Sequence, residues 1–171
     1  MEILGDPYNT QNMIEALIIR EGMSNTFPAQ VLEDARKINT TISKEEISKR
    51  RDLRNLPIIT IDGDDAKDLD DAVYVEKLKN GNYRLIVSIA DVSFYIPEGS
   101  PLDVEAYKRG NSVYLVDRVL PMFPQEISNG ICSLNPNEDK LTFTCEMEID
   151  KNGKTISYDT YCLLYTSDAA D

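Results

Sequence analysis

The spacing of apolar positions changes near residue 57. Before it, Met13, Ile14, Leu17 and Ile18 fall on one helical face, and Gly22 is a natural stop. Pro28 opens a second helix with Val31, Leu32, Ala35 and Ile38 along one side. Ser43 with Glu46 makes a capping-box pattern ahead of a third, basic helix carrying Lys49, Arg50, Arg51 and Arg54. From Pro57 onward the texture is that of strands. Residues 58–61 are short and β-branched, and residues 72–78 and 83–90 flank Asn80-Gly81, a strong hairpin signal. A helix over 102–109 follows Ser100 and Pro101, and 113–116 reads as a strand. Residues 141–149 alternate, and Asn152-Gly153 turns the chain into a last strand over 155–161. Helices first and strands after predict an α+β chain.

Between two apolar stretches, 57–61 and one starting at Ala72, lies Asp62-Gly63-Asp64-Asp65-Ala66-Lys67-Asp68-Leu69-Asp70-Asp71, six carboxylates against one lysine. Such crowding repels itself unless water or a cation screens it. Two readings stay open on the residues alone. One is a solvated hairpin loop. The other is a hard-cation site, since Mg²⁺ typically takes one or two carboxylates together with waters and substrate phosphates. A loop returning between two strands brings Asp62 towards Asp68, Asp70 and Asp71. An EF-hand does not fit: counted from Asp62, the fifth position is Ala66, the sixth Lys67 and the twelfth Val73. The basic cluster at Lys49–Arg54 reads as a solvated helix face before it reads as a phosphate contact.

Composition narrows the picture. The chain has 171 residues, 42% of them apolar and 28% charged, as expected of one ordinary globular domain. No stretch approaches a membrane helix, and Met1 is followed by Glu2, so no membrane partner is expected. Cys132, Cys145 and Cys162 form no Cys-x-x-Cys pair, which points to a reducing, cytoplasmic setting. Histidine is absent, which removes Ser-His-Asp and Cys-His schemes and argues against zinc. A net charge of −12 argues against a free-standing electrostatic binder of nucleic acid.

The motifs themselves are more specific. Thr60-Ile61-Asp62-Gly63 followed by Asp68-Leu69-Asp70-Asp71-Ala72 resembles the signature of the RNB exoribonucleases, the family of ribonucleases II and R. The likeness runs on through Ile89-Ala90-Asp91-Val92-Ser93, Ser112-Val113-Tyr114-Leu115-Val116-Asp117-Arg118 and Ser128-Asn129-Gly130-Ile131-Cys132-Ser133-Leu134-Asn135-Pro136. Phe27-Pro28 and Arg50-Arg51-Asp52-Leu53-Arg54 add to it and lean to the ribonuclease R branch. The resemblance implies the N-terminal part of an RNB catalytic domain, a twisted mixed sheet with flanking helices, preceded by a short helical segment. It implies a Mg²⁺-dependent, hydrolytic 3′-to-5′ exoribonuclease that takes the 3′ end of single-stranded RNA and releases nucleoside 5′-monophosphates. On the family motif, Asp62, Asp68, Asp70 and Asp71 match the metal cluster, Asp70 being the aspartate on which catalysis depends most. Tyr114 matches the tyrosine that stacks on a base, although its spacing alone reads as sheet packing. Asp91 reads as a structural or turn carboxylate. Ser88 and Phe94 stand where ribonuclease R members usually carry histidines. A non-catalytic RNB-like module is the alternative, and a glycosidase with two carboxylates across a sugar cleft is a remote third.

The resemblance also divides the chain. Residues 1–56 are expected to form the helical segment that follows a cold-shock-like barrel, Met1-Glu2-Ile3-Leu4-Gly5 resembling that barrel's tail. Residues 57–161 are the nuclease part. Residues 162–171, Cys162-Leu163-Leu164-Tyr165-Thr166-Ser167-Asp168-Ala169-Ala170-Asp171, read like a translated sequencing adapter, native sequence being expected to stop near Tyr161, and they are left out of the fold reading.

Overall fold

The computed structural model describes residues 4–63 and 66–166. Asp64 and Asp65 of the acidic run, the barrel-tail reading at Met1 to Ile3 and the adapter reading at Ser167 to Asp171 lie outside the described residues.

Three helices come first, α1 (Thr10–Arg20), α2 (Ala29–Lys37) and α3 (Lys44–Lys49). Asn9 caps α1, its side chain accepting from the N–H groups of Gln11 and Asn12. Ser43 Oγ accepts from the Glu46 N–H at 3.1 Å, which satisfies one of the orphan donors at the start of α3. The third helix stops at Lys49 and does not run on through Arg54. Arg51–Asp52 is instead a short strand, β1, paired in parallel with Leu163 and Leu164.

The main sheet adds β2 (Asp71–Lys77), β3 (Tyr83–Ala90), β6 (Lys140–Ile149) and β7 (Thr155–Tyr165), in the order β1-β7-β6-β3-β2. All pairings except β1 with β7 are antiparallel, so the sheet is mixed. Between β3 and β6 lie α4 (Val92–Tyr95), α5 (Pro101–Arg109), the two-stranded ribbon β4 (Val113–Tyr114) with β5 (Val119–Leu120), and a π-helical turn over Glu126–Ile131. Pro101 occupies the first turn of α5, and Ser100 Oγ accepts from the Asp103 N–H.

The expected strand over 58–61 shrinks to one antiparallel bridge, Ile59 to Val73. Continued along the chain, that register would set Asp62 directly opposite Asp70. Like charges directly opposite destabilise a ladder, so the pairing ends as the acidic run begins.

Ala72, Ala90, Leu141 and Leu163 of the sheet join Ile58, Leu134, Tyr95 and Leu102 in one buried cluster, to which α2 contributes Val31 and Ala35. The helical segment and the sheet therefore share one core. Residues 162–165 complete β7, with Leu163, Leu164 and Tyr165 fully buried. There they satisfy the backbone groups of Lys140–Thr142 of β6 and, at Leu163 and Leu164, those of Arg51–Asp52 of β1. No helix among the described residues is long and apolar enough to cross a membrane.

Candidate active site

The acidic run leaves Ile59 and enters β2 without helix or strand of its own, yet its second half is anchored. The Ala90 N–H at the end of β3 donates to the Asp70 carbonyl at 2.9 Å, and the Leu134 N–H donates to the Leu69 carbonyl at 2.7 Å. These bonds hold Asp70 at the mouth of β2, with Asp71 the first residue of the strand.

Asp70 is the electrostatic centre of the group. Partial loss of water raises its carboxyl above the ordinary value, its own backbone N–H works against that, and the charges of Asp71, Asp68 and Asp62 add further repulsion. The four motif aspartates are thus close enough to feel one another at one carboxylate. Asp62, Asp70 and Asp71 are exposed, while Asp68 is half-buried. Among the described residues, no three carboxylates or thiols converge as a ready metal-ligating group. The donor chemistry nevertheless fits a hard divalent cation: the donors are carboxylate oxygens, and their mutual repulsion is the kind that such a cation relieves.

Tyr114 sits in β4, and its spacing read as sheet packing. The structure leaves it 67% exposed. Its hydroxyl donates to Asp68 Oδ2 at 3.0 Å, and that bond, followed by loss of water and the charges of Asp68 and Asp70, raises the phenol above its usual value. One edge of the ring is tethered to the acidic group while most of the side chain is exposed. Beside it runs a cleft of about 610 Å³ lined by Lys67, Asp68, Ser112, Tyr114, Arg118 and Asn129.

Of the basic cluster, Lys49 stands exposed on α3 beside Glu45 at 2.8 Å, whereas the three arginines lie past the helix and are engaged in ion pairs. Arg50 is buried, donating to Asp91 at 2.8 Å and to Glu46 at 2.6 Å. Arg51 donates to Asp159 at 2.6 Å and lies 3.7 Å over the Tyr161 ring. Arg54 bonds Asp52 and Asp139, and it holds the Asp52 carboxyl down at about 2. Asp91 takes the structural role expected of it, also accepting from Ser93 Oγ at 3.0 Å. Ser88 is buried against Thr144 at 2.9 Å, and Phe94 stands edge-on to Tyr95 with the Arg50 guanidinium 5.1 Å from its ring. Ser133, present in the sequence reading only as part of a longer motif, bonds the acidic run through its hydroxyl across 64 residues. No local pattern signals a contact of that range.

Comparison with known proteins adds the following. The family model described as "RNB domain" matches residues 50–162. Ribonuclease R of Thermotoga maritima is 49% identical over 163 residues, which is 94% of this chain and 23% of that protein. The solved structure of Mycoplasma genitalium RNase R in complex with ribose-methylated single-stranded RNA superposes with a TM-score of 0.90 at 32% identity, covering 98% of this chain and 26% of that one. Yeast Ssd1, described as a pseudonuclease, superposes with a TM-score of 0.81 at 19% identity, over 98% of this chain and 21% of that one, a likeness of fold alone. The chain therefore spans about a quarter of the length of the relatives it matches.

Proposed function

Since the chain belongs to the RNB family, we propose that it supplies the carboxylate side of the active site of a hydrolytic 3′-to-5′ exoribonuclease. Its substrate is the 3′ end of single-stranded RNA, its products are nucleoside 5′-monophosphates, and its setting is the cytoplasm. Asp62, Asp68, Asp70 and Asp71 are the residues that would hold Mg²⁺, with Asp70 the catalytic carboxylate. When bound, the cation supplies charge compensation at the scissile phosphate and a more acidic water.

The observation that carries this reading is the position of Asp70. It is fixed by the Ala90 N–H at the start of a core strand, and the charges of the other three aspartates converge on it. Carboxylates so crowded are a poor arrangement for a bare fold and a good one for a site that meets a cation and a phosphate. Tyr114 complements them: its hydroxyl is held by Asp68, so the exposed ring is set beside the acidic group for stacking on a base, an interaction worth roughly 1–3 kcal/mol per base and tolerant of sequence.

The test is Asp70→Asn in the protein expressed from the complete source locus. Hydrolysis of single-stranded RNA is expected to fall by roughly 10²-fold or more, with RNA affinity nearly unchanged. Chelation of divalent cations should silence the wild type equally. Near-normal turnover by the variant would remove Asp70 from the catalytic role. A wild type that binds RNA without turning it over would point to the non-catalytic module instead.

A further inference from the structure

Asp68 lies on irregular backbone, yet the peptide groups on either side of it are bound as a strand residue's would be. The Leu69 N–H donates to Ser133 Oγ at 3.1 Å. The Ser133 hydroxyl has one proton, which it shares between the Lys67 carbonyl at 3.1 Å and Asn135 Oδ1 at 3.0 Å. One residue on, the Leu134 N–H donates to the Leu69 carbonyl. A single side chain therefore accepts from one flank of Asp68 and donates to the other, and its own backbone neighbour fixes the peptide that leads into Asp70.

The far side of this contact is rigidly mounted. Ser133 is fully buried, its N–H donates to the Gly130 carbonyl at 3.2 Å, and Lys140 Nζ from β6 donates to that same carbonyl at 2.8 Å. Asn135, the other acceptor, bonds back through Nδ2 to the Asn129 carbonyl at 3.5 Å. A buried serine whose role was only to satisfy itself needs one nearby acceptor. Ser133 instead reaches two backbone groups of the acidic run, and both flank a motif aspartate.

We propose that Ser133 is a positioning residue for the cation site: its hydroxyl fixes the Lys67–Leu69 backbone and thereby sets Asp68 and Asp70 relative to Asp62 and Asp71. This rests on the metal-holding reading above. Groups that orient metal-holding side chains typically cost 10–100-fold in metal affinity when removed.

The experiment uses this chain, with Mn²⁺ as the spectroscopic probe, and compares Ser133→Ala with Ser88→Ala, which loses an equally buried hydroxyl bonded only to Thr144 Oγ1. Mn²⁺ affinity is read by water-proton relaxation, and exchange of the Leu69 amide by hydrogen–deuterium exchange. S133A is expected to weaken Mn²⁺ binding roughly 10-fold or more and to speed Leu69 exchange, while S88A does neither. Wild-type affinity in a folded S133A overturns the proposal. If S133A does not fold, Ser133→Cys keeps the volume with a weaker hydrogen bonder, and undiminished Mn²⁺ affinity there overturns it as well. A wild type that binds no Mn²⁺ overturns the metal-holding reading and the positioning role with it. Faster Leu69 exchange in S133A would then identify a purely structural clamp.

Discussion

Asp70 holds a charge where the fold by itself gains nothing from one. Its carboxyl is raised in the folded chain, by loss of water first and then by Asp71, Asp68 and Asp62. A group with a raised folded value favours the fold fully below its unfolded value, here 3.8, and that contribution is lost as the pH climbs through the folded value. At neutral pH only the dehydration and the repulsion remain. Asp70→Asn is therefore expected to raise the Tm of the metal-free chain at pH 7, by on the order of 1–2 °C. The gap should narrow as the pH falls towards 4. Asp52 has the opposite sign: held at about 2 by Arg54, it favours the fold above its unfolded value and loses that effect on acidification through about 2. Thermal melts of both chains across this range check the point, and an N variant less stable than wild type at pH 7 would contradict it. Mg²⁺ should raise the Tm of the wild type and not that of D70N. The opposed responses are the stability cost of a site kept for function.

At the scale of elements, the parts legible in the sequence are those set by neighbours along the chain. The β2–β3 hairpin follows from alternation on both sides of Asn80-Gly81, and α5 follows from Ser100-Pro101. The parts not legible depend on partners far away. β1 is polar and reads as the end of a basic helix, because its partner strand is over a hundred residues on. Arg50 shows what stops that helix. Its guanidinium leaves α3 to join Asp91, next to α4, and the Thr142 carbonyl of β6 at 3.4 Å. The acidic run was legible as chemistry from its composition, whereas its anchoring by Ala90, Ser133 and Leu134 was not, since each bond crosses to a distant segment. Removing one partner of a buried ion pair leaves the other charge uncompensated, at about 3–5 kcal/mol. Arg50→Met should destabilise the chain by that order in urea, and Arg50→Met with Asp91→Asn should recover part of it. Additive losses in this double-mutant cycle would show that the two side chains are not coupled.

For the whole molecule, the decisive strand is β7, because it links β1 and the C-terminal end of the sheet to the strands that carry the acidic group. At its end Leu163, Leu164 and Tyr165 are completely buried, Leu163 and Leu164 paired on both sides and Tyr165 with Lys140 of β6. A chain ending after Tyr161 would leave Lys140–Thr142 and Arg51–Asp52 without partner backbone and would empty three core positions. Large buried aliphatic side chains contribute about 2–5 kcal/mol each, and the net stability of a domain is only about 5–15 kcal/mol. Residues 1–161 are therefore expected to lose the cooperative melt and the near-ultraviolet signal, while residues 1–166 melt as the full chain does. What β6 and β1 require of this segment is extended backbone with apolar side chains, more than the identity of each residue. Leu163→Val with Leu164→Ile should accordingly keep a cooperative transition, whereas Leu164→Asp should abolish it. A 1–161 chain with an unchanged Tm would show that the sheet closes without these residues, and that the core is complete at β6.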